Sequence, residues 1–137
     1  MRLRTRSWLA LGLLFVWGCG ASEPSVSGTV QLDGHPLVSG SIDFFPDKGT
    51  HGPNAGATIE RGQYTIRKGL MAGKYRVAIQ GTHRIPNKKT VDVLGQVIDA
   101  EVAIVPEKYN KKTTLIQEVK AGPNTIDFNL EGIKKGR

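Results

Sequence analysis

Val26-Ser27-Gly28-Thr29-Val30-Gln31-Leu32 alternates apolar or small residues with polar ones along its whole length. Val26, Gly28, Val30 and Leu32 fall on one side and Ser27, Thr29 and Gln31 on the other, the period of a half-buried β-strand. Asp33-Gly34 follows at once as a tight-turn pair, with Pro36 just beyond it. The same grammar continues outward. Residues 41–46 read as a strand with Ile42 and Phe44 on one face, and residues 47–54, rich in Gly, Pro, Asn and Asp, as a loop. Residues 57–60 and 63–67 flank Arg61-Gly62 as a hairpin in which Tyr64 and Ile66 share a face. Tyr75, Val77 and Ile79 share a face in residues 75–80. Residues 102–105 stop at Pro106, and Glu107-Lys108-Tyr109-Asn110 makes a short helical turn or loop. Residues 115–119 and 125–130 form the last pair of strands around the turn Lys120-Ala121-Gly122-Pro123-Asn124. The segment 81–100 is the least regular, and reads as a long loop with a short strand or helix. About seven short strands, with a turn signal roughly every 8–12 residues, predict an all-β Greek-key β-sandwich.

The N-terminal part follows a different pattern. Arg2, Arg4 and Arg6 precede an apolar run over residues 8–17, interrupted only by Gly12. A run of about ten residues is well short of the roughly 20 that span a bilayer, and it matches the apolar region of an export signal. The small residues Gly18, Gly20, Ala21 and Ser22 follow, around Cys19, the one cysteine of the chain. A cysteine at the first mature position supplies the thiolate that takes up a diacylglycerol. Val16 and Gly18 fit a lipobox, whereas Trp17 departs from its small-residue preference. The chain therefore divides into a lipoprotein signal peptide (1–18), a tether (19–25) with Cys19 as lipid attachment site, a β-sandwich domain (26–131) and a basic tail (132–137). With one cysteine, no disulfide forms within the chain.

The mature chain, 119 residues from Cys19, is enough for one domain with a real core. Loss of three arginines with the signal takes the net charge from +7 to +4. What remains clusters at Lys88-Lys89, Lys111-Lys112 and residues 134–137. These runs read as solvated faces, or as contacts to anionic headgroups or acidic polymers. No aromatic-basic stacking motif appears, so nucleic acid is not an expected partner. Both tryptophans lie in the signal. Of Phe44, Phe45, Tyr64, Tyr75, Tyr109 and Phe128, all but Tyr109 sit in strand-like runs and are expected in the core. That speaks against an exposed carbohydrate platform.

Catalytic chemistry is not evident. His35, His51 and His83 fall in expected turns or loops, with no Gly-x-Ser-x-Gly elbow. No close His/Cys spacing suits zinc, and Asp43, Asp47 and Asn54 are too spread for a calcium loop. The expectation is no enzyme, no metal and no cofactor. Four residues are the weak candidates for binding. Lys108 and Tyr109 sit beside a proline-ended strand, where Tyr109 is expected to pack a loop while its hydroxyl bonds backbone, or else to sit on an exposed patch. His83 and Arg84 lie in segment 81–100, a candidate contact surface because long segments of irregular chain are often functional.

The order of motifs resembles a family of small lipoproteins abundant in planctomycete-type bacteria. The residues that carry the likeness are Gly18-Cys19-Gly20, Val26-Ser27-Gly28-Thr29-Val30 and Asp33-Gly34-His35-Pro36-Leu37. Phe45-Pro46, Gly73-Lys74-Tyr75-Arg76-Val77, Val105-Pro106-Glu107-Lys108-Tyr109 and Asn124-Thr125-Ile126-Asp127-Phe128-Asn129-Leu130 continue it. The resemblance implies a transthyretin-like (prealbumin-like) sandwich, similar to the regulatory domain appended to some carboxypeptidases, with no established activity. Glu60 stands where the family's hairpin more commonly has aspartate. The C-terminal Tyr-Arg-Gly-Ser signature of transthyretin-like hydrolases is absent from residues 132–137.

Together these readings lead to a noncatalytic cell-envelope protein, exported and held to the membrane through its N-terminal lipid, with an envelope protein as partner. A polysaccharide- or small-ligand-binding module is the alternative. Cys19→Ala is expected to move the protein from the membrane pellet to the supernatant on cell fractionation. Retention in the pellet would show that something other than a lipid on Cys19 holds it.

Overall fold

The computed structural model describes residue 20 and residues 22–133. The signal peptide, Cys19 and residues 134–137 lie outside the described residues. Ten strands form an all-β, sandwich-like fold: β1 (Ser25–Leu32), β2 (His35–Pro36), β3 (Ser39–Pro46), β4 (Ala55–Glu60), β5 (Gln63–Ile66), β6 (Gly73–Val91), β7 (Val97–Ala103), β8 (Ile116–Val119), β9 (Pro123–Thr125) and β10 (Phe128–Leu130). Seven of them form one continuous path, β10-β1-β5-β4-β3-β6-β7, with β2 and β9 paired to β1 and β8 paired to β6.

The path folds over itself at Arg61-Gly62. Both residues have positive φ (52° and 78°), as a two-residue type I′ hairpin requires. Only Glu60 and Gln63 pair across it. Beyond that pair β4 runs with β3 and β5 runs with β1. The inward faces of the two groups then meet. Val26 and Val30 of β1, Tyr64 and Ile66 of β5, and Phe128 and Leu130 of β10 join Ile42, Phe44, Ile59, Tyr75, Val77 and Ile79 in one buried cluster. These are the apolar positions that alternation assigns to the inside, and Phe44 meets Tyr75 edge-on at 6.0 Å between ring centroids. Such a pair adds about 1 kcal/mol to the burial itself. Phe45, on the other face of β3, is only half-buried.

The C-terminal strands depart from the sequence expectation. Residues 115–119 and 125–130 do not pair with each other. β8 is antiparallel to the start of β6, while β9 and β10 both lie parallel to β1. The connection therefore passes from one layer to the other. Asn124 holds it: its side-chain carbonyl accepts from Lys120 N (2.9 Å), and its amide donates to the Lys120, Gly122 and Ser25 carbonyls (2.8, 2.9 and 3.1 Å).

Between β9 and β10 the chain crosses directly over Gly28. A Cβ on Gly28 would overlap the Ile126 carbonyl. The crossing is pinned on both sides. Tyr64 donates its hydroxyl to the Ile126 carbonyl (2.7 Å), and Asp127 accepts from Thr29 N (2.7 Å) and Thr29 Oγ1 (2.9 Å). Burial, and then the neighbouring Asp127 charge, raise the Tyr64 pKa well above that of an ordinary tyrosine, so its phenol stays protonated as a donor. Gly28 thus belongs to the inward face by alternation, but its lack of a side chain is set by the backbone above it. Gly28→Ala is expected to cost about 3 kcal/mol, because the obstacle is backbone that cannot rotate away. Urea unfolding of the variant measures this; a loss under about 0.5 kcal/mol would mean the crossing is easily displaced.

Candidate functional site

The segment read as irregular is the most extended part of the molecule. β6 runs for 19 residues, and only its first half, Gly73 to Gly81, is covered by β3 and β8. The second half leaves the sandwich and pairs with β7 as a two-stranded arm. Its pairs are Thr82 with Ala103, His83 with Val102 and Arg84 with Glu101, then Lys89 with Asp99, Thr90 with Ile98 and Val91 with Val97. Residues 85–88 bulge between the two sets, with Asn87 at φ 62°. That bulge breaks the period-two signal, and exposure on both sides removes the burial contrast, so the sequence offered no clean alternation here.

Asp92 closes the tip. Its carboxylate accepts from Leu94 N (2.9 Å) and Gln96 N (2.8 Å), its own N–H donates to the Gln96 carbonyl (2.9 Å), and Gly95 takes φ 79°. The turn was findable: five residues with Asp first and Gly fourth, between Thr90-Val91 and Val97-Ile98, is a hairpin signal.

The arm has two unlike faces. Arg84, Lys89, Asp99 and Glu101 share one. Lys89 pairs with Asp99, and Arg84 lies 3.6 Å from Asp99 and 3.9 Å from Glu101. The hydrogen bond from Lys89, its charge and that of Arg84 together hold the Asp99 carboxyl below the usual aspartate range. His83, Ile98, Ala100 and Val102 share the other. Toward the tip Val91, Val93, Leu94 and Val97 are exposed, Val93 completely and Leu94 at 78%. Exposed aliphatics of this density on one projection mark an interaction surface more often than chance.

His83 and Arg84 therefore stand at the root of the arm, in strand rather than in a loop. With Val38, Ser39, Thr82 and Glu101 they line an open cleft of about 390 Å³. His35 lies in β2, also a strand, and His51 in a loop. Among the described residues no hydrogen bond or ion pair joins any of these histidines to a carboxylate, and no cluster of three possible metal ligands occurs.

Lys108 and Tyr109 occupy a separate place, the 3₁₀ turn Glu107–Tyr109. Tyr109 packs on the core, and its hydroxyl accepts from Glu131 N (3.2 Å), the backbone bond expected of it. Lys108 lies 4.8 Å from the centre of the Tyr109 ring and 3.4 Å from Glu131. The pair is engaged in fastening the 3₁₀ turn to the end of β10. The four candidates thus fall into two groups with different partners.

The N-terminal end is tied down early. Ser22 accepts from Gly122 N (3.1 Å) and Ser25 donates to Gly122 O (3.0 Å), so β1 begins one residue before Val26 and little slack remains before it. Here Pro24, Pro53, Leu70 and Met71 line a mainly apolar cleft of about 430 Å³. No helix among the described residues is long and apolar enough to cross a membrane.

No protein-family profile matches the chain, and no curated protein matches it. Among solved structures it is similar to a 9R-lipoxygenase from Cyanothece PCC8801, with a TM-score of 0.34 and 14% identity over 79% of this chain and 16% of that one. The chain spans about a sixth of that enzyme's length, and a likeness this slight carries no argument about fold or reaction.

The ion pairs give the charged face of the arm a defined pH dependence. A carboxyl whose folded pKa is depressed stabilises above its unfolded pKa, near 3.9, and loses that contribution as pH falls through the folded value. Amide exchange in residues 89–99 is therefore expected to quicken below about pH 4 relative to the sandwich. Asp99→Asn should show the faster exchange already at neutral pH. Equal exchange in both proteins would mean that the ladder alone holds the arm.

Proposed function

We propose that the chain is a noncatalytic, lipid-anchored protein of the cell envelope that presents the β6–β7 arm to a protein partner. The observation that carries this reading is the placement of the arm. β1 and β6 both start at the end of the domain where Ser22, Gly122 and Met71 meet. β6 then runs the length of the sandwich and leaves it beyond Gly81, opposite Gly40 at the start of β3. A lipid on Cys19 would put the first end at the membrane. The arm would stand at the other, its tip roughly 25–30 Å beyond the sandwich at about 3.3 Å per strand residue.

Two of the candidate polar residues are engaged within the fold. Arg84 is paired with Asp99 and Glu101, and Lys108 with Tyr109 and Glu131. Burial of Phe44, Tyr64, Tyr75 and Phe128 supports a protein partner over a polysaccharide, whose sugars stack on exposed rings. We also assign the chain, on its motif order, to the small lipoproteins with a transthyretin-like domain; the two-layered β framework supports that assignment.

In-cell chemical crosslinking tests the reading. The wild type is expected to give one dominant protein adduct, weakened about tenfold by Val93→Ser with Leu94→Ser, since two exposed aliphatics leave the interface. These exposed positions cost the fold little, about 0.5 kcal/mol or less. An adduct of equal yield in the double variant would remove the arm from the partner surface. No protein adduct at all would favour a polysaccharide or small ligand.

A further inference from the structure

The partner's mode of attachment can be read from the outer edge of β7. That strand ends the sheet path, with β6 on one side and, among the described residues, no strand on the other. Its backbone divides cleanly between the two sides. Ile104 N donates to Gly81 O, and Asp92 N to Gln96 O. Along an antiparallel ladder hydrogen-bonded pairs alternate with non-bonded ones. Counting from those two bonds, Ile98 and Val102 turn their N–H and C=O groups toward β6. Val97, Asp99, Glu101 and Ala103 turn theirs outward, where no partner meets them among the described residues.

An edge of this kind invites another strand, and proteins usually guard it with charged side chains, lysine above all, with proline, a bulge on the strand itself or brevity. β7 has seven residues and contains neither proline, glycine nor lysine, and the bulge is on β6. What it carries are two acids, Asp99 and Glu101, on the face away from Ile98, Ala100 and Val102. These acids bear on a second copy of the chain. Side chains of two paired strands share faces, so a two-fold antiparallel pairing of β7 with itself must match like faces. Any such register longer than three residues a side sets Asp99 or Glu101 opposite an acid of the other copy. Like charges directly opposite are destabilising. Lys89 and Arg84 pair with these acids from the β6 side and leave the Asp99 and Glu101 side chains 32% and 46% exposed.

We propose that β7 is a docking edge for an extended segment of a different protein, one in which lysine or arginine alternates with apolar residues. The added strand hydrogen-bonds to the outward groups of Val97, Asp99, Glu101 and Ala103. Its basic side chains lie beside Asp99 and Glu101, and its apolar ones extend the surface of Ile98 and Val102. Main-chain pairing supplies affinity and the alternate side chains supply selectivity. The same acids that turn away a second copy select the basic segment. Membrane lipid is disfavoured as the occupant because the arm leaves the domain at the end opposite Ser22. This inference rests on the reading of the chain as a tethered protein-binding module and specifies the chemistry of what it binds.

The test is photo-crosslinking in the native cells, using the full chain with a photoreactive residue at Val102 or, as reference, at Thr58 on β4. Crosslinked segments are sequenced by mass spectrometry. Ala103→Pro removes one outward N–H without touching the bonds to β6. Glu101→Gln removes one acid while leaving the Lys89–Asp99 pair that steadies the arm, and keeps the proposal testable should the proline variant fail to fold. The expected result is a Val102 adduct with a segment of alternating basic and apolar residues. Its yield falls about fivefold or more in each folded variant, the effect of one lost hydrogen bond or of one lost charge. An adduct with a second copy of the chain, an adduct with lipid, or a protein adduct unchanged in both variants would overturn the proposal. Silence at Val102 with a protein adduct at Thr58 overturns edge docking and leaves the adaptor reading standing. Silence at both, with the photochemistry shown to work, sinks the two together.

Discussion

β1 is the strand on which everything else is assembled. Its first half is flanked by β5 and β9 and its second half by β2 and β10. The change of neighbours takes place over Gly28, where Ile126 and Asp127 cross between β9 and β10. A side chain there would lift the closing strand away, and the Tyr64 hydroxyl and the Thr29 pair would lose their partners together. The apolar cluster depends on that closure, because Phe128 and Leu130 reach the core only after the crossing. The constraint is steric, and hydrogen bonds then hold what the missing Cβ allows.

The arm follows opposite rules. In the sandwich, alternation separates buried from exposed. In the arm both faces meet solvent, Ala100 excepted, so alternation separates charge from aliphatic surface instead. Its stability comes from the ladder, the Asp92 turn and the ion pairs rather than from a core. Regions with few buried contacts open at low free energy. The fold therefore joins a rigid body to a softer projection whose surface chemistry is not constrained by packing.

The strands with one buried face were legible because burial imposes the period. Val26, Val30, Ile42, Phe44, Tyr64, Ile66, Tyr75, Val77 and Ile79 were all placed inward by spacing alone, and all are buried. The turns Asp33-Gly34 and Arg61-Gly62 were legible because positive φ restricts the residues that can occupy them. Two things were not. The partners of β8, β9 and β10 are set by contacts with strands far away in the chain, on which local pattern is silent. The arm was obscured by its bulge at residues 85–88 and by the absence of a buried face. Of the four candidate residues, Tyr109 was read for the role it holds. His83 and Arg84 were read as lying in irregular chain and stand instead in a strand.

Thr29 and Asp127 touch across 98 residues of chain. Loop closure over such a span comes late, and proteins built from distant pairings fold slowly. During synthesis β1 meets β2 and β5 first, while its pairing with β9 and β10, and the closure over Gly28, wait for the last of these strands. A polypeptide arranged in this way completes its core only with its last strands, because Phe128 and Leu130 belong to that core. Sequence distance between the two ends of the fold thus sets an order of assembly, with the framework of β1 to β6 first and its closing strands last.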